Sequence, residues 1–74
     1  MTAIERYIID AVKRKRIEAG ITQAALADIL GVSPGFIGKV ESARYSSKYN
    51  FNHINILSKY FRCSPQSFLP SEAL

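Results

Sequence analysis

The sequence predicts an all-α protein, a compact bundle of four to five short helices with tight connections. Apolar residues recur at intervals of three and four along the chain, which is the spacing of helices with one buried side. Thr22, Ser33 and Ser64 each precede such a stretch and offer a side-chain oxygen as a helix N-cap. Gly20 and Gly31 follow two of the stretches, where a helix commonly ends in a left-handed backbone conformation.

The first two helices are expected in the N-terminal part of the chain. Helix α2 is predicted over about residues 23–30, with Thr22 as its N-cap. Helix α1 is predicted over about residues 3–19 and ends at Gly20, and its buried side is expected to consist of Ile4, Ile8, Val12 and Ala19.

The remaining helices follow the same signals. Helix α3 is expected to follow the Ser33 cap, with Pro34 in its first turn, and to end near Ser42 or Ala43. Helix α4 is expected from about Asn50 or Asn52 to Phe61, and a last short helix follows Ser64, with Pro65 first and Pro70 ending it. The residues that these two helices should bury are Ile54, Leu57, Phe61, Phe68 and Leu69.

The composition fits one small folded domain over residues 1–74. A hydrophobic fraction of 47% and only 3 prolines argue against a disordered chain. The net charge of +4, from 10 basic and 6 acidic residues, suits a polyanionic partner. A single cysteine excludes an internal disulfide and fits a reducing compartment. The N-terminus lacks the apolar stretch of a secretion signal and no segment approaches membrane-spanning length, so we expect a cytoplasmic protein without a membrane partner.

Residues 23–42 have the spacing of a helix-turn-helix, in which two short helices meet at a steep angle across a tight turn. Ala27 stands where the two helices would cross, and a larger side chain there would hold them apart. Gly31 stands at the turn, where a Cβ would disfavour a positive φ. Five aliphatic residues are spaced to fill the volume between the helices: Leu26, Leu30, Val32, Ile37 and Val40. Seven restricted positions in so short a segment indicate a protein that reads DNA.

The side of α3 that faces away from this core is the surface that a recognition helix presents to base edges in the major groove. Helical spacing places Gly35, Lys39 and Ser42 there, with Pro34 and Phe36 to either side. Lys39 can donate to guanine or meet a phosphate, and Ser42 can pair with any base. Pro34 and Phe36 can contact thymine methyl groups. We expect these five residues to face bases.

Some of these residues have a second interpretation. Gly35 and the neighbouring Gly38 each cost a helix about 1 kcal/mol relative to alanine. They either allow the backbone to approach DNA closely or have drifted at exposed positions. Phe36 can instead pack against α2 or against a dimer partner. The sequence leaves these alternatives open.

Residues suited to DNA phosphates lie in three places. The start of α2 offers side chains and free backbone N–H groups, favoured by the helix dipole, although plain capping explains them as well. Residues 44–50 and the start of α4 combine cations with hydroxyl and amide donors, which suits the DNA backbone; a solvated loop is the alternative. Residues 13–15 are a basic cluster that is either solvated or near the backbone. The predicted phosphate contacts are Arg14, Thr22, Gln23, Ser33, Arg44, Tyr45, Lys48, Tyr49, Asn50, Asn52 and His53.

An ion pair between α1 and α3 is predicted from the position of Arg16. Arg16 lies one turn after Val12, on the apolar side of α1, where an unpaired charge would be costly. Glu41 lies one turn beyond Ile37, on the inner side of α3. We therefore expect Arg16 and Glu41 to form a structural salt bridge, in preference to a phosphate contact by Arg16.

The sequence does not favour catalysis. One cysteine and one histidine cannot form a zinc site of the usual kinds without several well-spaced carboxylates. Cys63 stands in an apolar setting that is more typical of a core residue than of a nucleophile. A glycine loop of the phosphate-binding kind is missing as well. We expect no catalytic residue, no metal and no cofactor.

Over about residues 12–69, the sequence resembles the Cro/C1-type (XRE-like) helix-turn-helix family of phage repressors and small bacterial regulators. The segment VKRKRIEAGITQAALADILGVS is similar to that family's first helix, glycine, Thr-Gln opening and Leu-Ala second helix. Ile37 and Glu41 match its Ile-x-x-x-Glu ending of the third helix. The resemblance implies a five-helix, lambda-repressor-like domain that usually binds a palindromic operator as a homodimer.

The resemblance also implies roles for single positions. Gln23 and the start of α4 match positions that commonly contact phosphates, and Arg16 and Glu41 match a frequent salt bridge. Pro34, Gly35 and Lys39 match base-facing positions, which often carry Gln, Arg, Lys or Ser in the family.

Two further features concern the loop after α3 and its likeness to the family. The connection after Glu41 is longer than the family's short glycine-containing turn, with Ala43 near the place of that glycine. The run KYNFNHIN at residues 48–55 looks like a subgroup of small bacterial regulators that share this extended loop.

The sequence as a whole predicts a sequence-specific regulator of transcription that binds double-stranded DNA, a repressor acting as a homodimer on a palindromic operator with α3 in the major groove. Because α3 has few base donors, we expect DNA shape to carry much of the selectivity. The alternative is an antitoxin or protein-interaction module. It would bind a toxin or another regulator through Phe36, Tyr45, Tyr49 and Phe51.

Overall fold

The computed structural model describes residues 1–42 and 44–74, and all regular structure in these ranges is helical. Its radius of gyration is 11.5 Å, so the helices form a compact body. The all-α class predicted from the sequence is confirmed. The helices are α1 (Ala3–Glu18), α2 (Gln23–Leu30), α3 (Pro34–Glu41), α4 (Phe51–Phe61) and a short 3₁₀ helix (Pro65–Phe68).

Side-chain caps start every helix. Thr22, Ser33 and Ser64 are the N-caps of α2, α3 and the 3₁₀ helix, as the sequence predicts. Thr2 and Asn50 cap α1 and α4 through capping boxes, in which the third helical residue accepts a hydrogen bond from the backbone N–H of the cap. The start of each helix is therefore determined by residues within three positions of it.

The ends of α1 and α2 require glycine. Gly20 has a φ of 70° and Gly31 a φ of 69°, which is the left-handed region. At Gly31 the chain turns directly from α2 towards α3, and the N–H of Val32 donates to the carbonyl oxygen of Ala27 at 3.0 Å. Helix α3 ends at Glu41 with Ser42 as its cap. Ala43, which the sequence offers as another end of α3, lies outside the described residues.

The core lies between α2, α3 and α4 and is closed by α1 and the 3₁₀ helix. Helices α2 and α3 pack most closely, and α2 also contacts α4. Ala27 is fully buried, and its small side chain allows α2 and α3 to pack closely against each other. The buried apolar residues are Ile9, Ala11, Val12, Leu26, Ala27, Leu30, Ile37, Val40, Ile54, Leu57 and Phe68.

The prediction of burial is wrong for three residues. Ile4, Ala19 and Leu69 are exposed, whereas Ile9 is buried although the sequence analysis did not place it in the core. Helix α1 packs against α3 and the 3₁₀ helix and buries Ile9, Ala11 and Val12 in its middle, while both ends of its apolar side remain exposed. Leu69 follows the last turn in an extended conformation and lies outside the core.

Candidate nucleic-acid interface

The predicted ion pair between α1 and α3 is present and is bidentate. Arg16 donates from Nε to Oε2 of Glu41 at 2.8 Å and from Nη2 to Oε1 at 2.9 Å. A third guanidinium bond, from Nη1 to the carbonyl oxygen of Ile21, measures 2.9 Å. The two side chains are only 13% and 3% exposed. The pair therefore ties the end of α3 to α1 in a largely dry environment.

Gln23 joins this network at the start of α2. Its Nε2 donates to Oε1 of Glu41 at 3.0 Å, and its own Oε1 lies 3.7 Å from where a Cβ on Gly38 would stand. Burial raises the pKa of Glu41, but the bonds from Arg16 and Gln23 outweigh it, so the pKa lies below the ordinary 4.5. The start of α2, predicted to bind phosphate, therefore lies beside the middle of α3.

The outer side of α3 is open at most of its predicted base-facing positions. Pro34, Gly35 and Lys39 are exposed, whereas Ser42 is partly buried, and its Oγ accepts a hydrogen bond from the N–H of Arg44 at 3.3 Å. A Cβ on Gly35 would meet no atom nearer than Ser33 Oγ at 4.0 Å. Packing within the protein therefore does not explain the glycines of this helix.

Phe36 is partly buried and packs against two aromatic rings. Its ring centroid lies 6.4 Å from that of Tyr49 and 5.7 Å from that of His53. The Tyr49 and His53 rings are themselves 6.0 Å apart in an edge-to-face arrangement. The sequence suggested packing by Phe36 against α2 or a dimer partner, whereas its ring partners come from the loop before α4 and from α4 itself.

The loop of residues 44–50 is attached to the helices by an ion pair and by the buried side of Tyr49. Lys48 forms an ion pair with Glu5 in the first turn of α1, and hydrogen bonds from Lys48 and Thr2 lower the pKa of Glu5 to about 2. The hydroxyl oxygen of Tyr49 is buried without a hydrogen-bond partner among residues 1–42 and 44–74. Burial accordingly raises the pKa of Tyr49 above its ordinary value.

Asn50 and His53 cap α4 reciprocally. The Oδ1 atom of Asn50 accepts the N–H of His53 at 2.8 Å, and the Nδ1 atom of His53 accepts the N–H of Asn50 at 3.1 Å. Partial burial lowers the pKa of His53 below its ordinary 6.5.

Most of the predicted phosphate contacts lie at the surface, while two do not. Tyr49 and His53 are partly buried in the aromatic cluster with Phe36. The predicted contacts that are exposed are Arg14, Thr22, Gln23, Ser33, Arg44, Tyr45, Lys48, Asn50 and Asn52.

One contact of this surface was not predicted. The ammonium group of Lys39 stands 5.7 Å from the ring centroid of Tyr45. Because Tyr45 belongs to an irregular loop, no periodic signal in the sequence relates it to α3.

His, Cys, Asp and Glu side chains form no cluster of three that could hold a metal ion within residues 1–42 and 44–74. Among the same residues, each helix is too short or too polar to cross a membrane.

The close packing of α2 on α3, the left-handed turn at Gly31 and the open outer side of α3 define a helix-turn-helix DNA-binding domain. The family model described as helix-turn-helix matches residues 12–68. The chain belongs to the Cro/C1-type helix-turn-helix family and is a DNA-binding regulator of transcription. A search of curated proteins and a search of solved structures each found no significant match.

Proposed function

We propose that the protein is a sequence-specific repressor that binds a palindromic operator as a homodimer, with α3 in the major groove. The observation that carries the proposal is the closeness of two exposed places. Gln23, at the N-terminus of α2, lies beside the middle of α3, and the outer side of α3 exposes Lys39. A helix N-terminus binds phosphate, and the neighbouring helix then reads bases at a fixed register.

The donors on this surface set the mode of recognition. Pro34 and Gly35 offer no side-chain donor, so Lys39 and Ser42 are the polar side chains of the outer side. Lys39 would read guanine, the one base with two adjacent acceptors in the major groove. With so few donors, the shape and deformability of the operator supply much of the remaining selectivity.

An exposed apolar patch supports a second copy as the partner in the homodimer. Phe51, the first residue of α4, is 93% exposed, and Ile4 and Leu69 are exposed beside it. The three residues border a groove of about 510 Å³. Contact across a two-fold axis requires a self-complementary patch, and Phe51 beside this groove offers a protrusion and a recess that can serve as one. In the C-terminal segment of residues 68–74, Phe68 is buried in the core, whereas Leu69 and Leu74 are exposed and free to contact a second copy.

The alternative, a module whose main partner is another protein, has less support. Of the four aromatic residues predicted to bind such a partner, Phe36 and Tyr49 pack against each other. Tyr45 and Phe51 are exposed, and Phe51 belongs to the patch assigned to the second copy.

The base-reading role is tested by selecting a duplex from a randomised pool and comparing Lys39→Ala with the unmodified protein. We expect Lys39→Ala to weaken binding to the selected duplex by at least about fivefold, with a much smaller loss on a scrambled duplex. Lys59→Ala is the matched control, because Lys59 is an exposed lysine on α4. If Lys39→Ala lost the same affinity for both duplexes, Lys39 would contact a phosphate and would not read a base.

The dimer is tested by sedimentation of the free and the DNA-bound protein. Free Phe51→Glu should sediment as a monomer at a concentration at which the unmodified protein is a dimer, because it places charge in the apolar contact. On the operator its two copies should occupy the two half-sites independently, whereas two unmodified copies should bind cooperatively. Tyr60→Glu is the control, since Tyr60 is also an exposed aromatic residue of α4. A free Phe51→Glu protein that is still a dimer, or cooperative binding of its two copies, would move the contact to another surface.

A further inference from the structure

The contact between Lys39 and Tyr45 joins the one cation on the outer side of α3 to the loop that follows it. The ammonium nitrogen lies 5.7 Å from the ring centroid, within the range in which a cation is attracted to an aromatic face. Lys39 is exposed and Tyr45 is 50% exposed, so the pair stands at the surface where DNA would lie.

The loop that carries Tyr45 is attached to α3 at two places. Near the end of α3, Ser42 Oγ accepts the N–H of Arg44, the residue before Tyr45. Near the start of α3, Phe36 packs against Tyr49 at the other end of the loop. The ion pair of Lys48 with Glu5 adds a third attachment, to α1. These attachments hold the loop that carries Tyr45 close to α3.

We propose that Tyr45 is a positioning residue that holds the Lys39 side chain for base reading, which is a role for its ring and not for its hydroxyl. The inference rests on the proposed function. A free lysine side chain loses much rotamer freedom when it docks, and a side chain already held over a ring loses less. A held side chain also reaches fewer base positions, so the same contact narrows the sequence preference.

The contact itself is tested in the free protein by NMR. The ε-methylene protons of Lys39 should be shifted upfield by the ring current of Tyr45, in the unmodified protein and in Tyr45→Phe. They should move to ordinary lysine values in Tyr45→Leu. Tyr60→Leu, which removes an equally exposed ring from α4, should leave them unchanged. Ordinary shifts in the unmodified protein would overturn the inference.

The role in recognition is tested by a double-mutant cycle on the duplex that the unmodified protein selects from a randomised pool. Tyr45→Leu should weaken binding by about twofold to fivefold, because the Lys39 side chain then loses more rotamer freedom when it docks. The same change should have no effect in the Lys39→Ala background, and Tyr45→Phe should bind like the unmodified protein.

The outcomes separate this inference from the proposed function. Equal losses in Tyr45→Phe and Tyr45→Leu would mean that the hydroxyl contacts a phosphate, which overturns the positioning role. A loss that persists without Lys39, or tighter binding by Tyr45→Leu, would also overturn it. A protein that selects no duplex at all would overturn the proposed function, and the inference with it.

Discussion

Replacing Glu41 with leucine removes one partner of the buried ion pair between α1 and α3. The side chain of Glu41 is 3% exposed and accepts hydrogen bonds from two guanidinium nitrogens of Arg16 and from Gln23. Without it, Arg16 keeps only its bond to the carbonyl oxygen of Ile21. A buried charge left without its partner costs about 3–5 kcal/mol. A core of this size supplies about 3–5 kcal/mol in total, so we expect Glu41→Leu to be largely unfolded.

The double variant Arg16→Met with Glu41→Leu should behave quite differently. Replacing both charges with apolar side chains leaves no buried charge unpaired, and such exchanges are commonly neutral or stabilising. We expect the free energy of unfolding of the double variant to lie within about 1 kcal/mol of that of the unmodified protein, although each single variant is severely destabilised.

The assay is urea unfolding followed by circular dichroism. Single variants that are unfolded in buffer are refolded with trimethylamine N-oxide, which favours the compact state. Their stabilities are then compared with that of the unmodified protein at the same concentration of trimethylamine N-oxide. Asp28→Leu is the control, because it removes an exposed carboxylate from α2 and should change stability little. The reasoning is refuted if Glu41→Leu costs less than about 1 kcal/mol, or if the double variant is no more stable than the singles.

Two further predictions concern α3 and the start of α4. Gly35→Ala and Gly38→Ala should each raise the free energy of unfolding by about 0.5–1 kcal/mol, because a Cβ has room at both positions. Gly35→Ala should nevertheless weaken binding to the selected duplex, and unchanged binding would favour drift at an exposed position. Because the pKa of His53 is lowered in the folded state, the unfolded chain binds more protons, so stability should fall as pH falls through 6.5. His53→Gln keeps a side-chain acceptor for the N–H of Asn50 and cannot titrate. Its free energy of unfolding should therefore change less with pH over this range, and a pH dependence equal to that of the unmodified protein would contradict this.

The helix starts were predictable because their causes are local. Thr22, Ser33 and Ser64 act on backbone N–H groups two or three residues ahead. The pair of Arg16 and Glu41 was predictable for a different reason. Both lie on the apolar sides of their helices, and a buried charge needs a partner that only the opposite helix can supply.

The coverage of each helix and the path of the loop were not predictable. Periodicity identifies the apolar side of α1, but the part that is buried depends on where α3 and the 3₁₀ helix pack against it. The sequence analysis therefore missed the burial of Ile9 and wrongly predicted that of Ile4. The contacts of Phe36 with Tyr49 and of Lys39 with Tyr45 depend on an irregular loop, for which the sequence contains no period to follow.

The most direct test of sequence-specific DNA recognition by α3 is selection from a randomised duplex pool at about 50 and about 200 mM salt, with Lys39→Ala beside the unmodified protein. We predict a palindrome with half-site centres about one helical turn apart, binding that weakens steeply with salt, and a changed or lost preference for Lys39→Ala. Binding that enriches no sequence, or no binding at the lower salt concentration, would contradict this account.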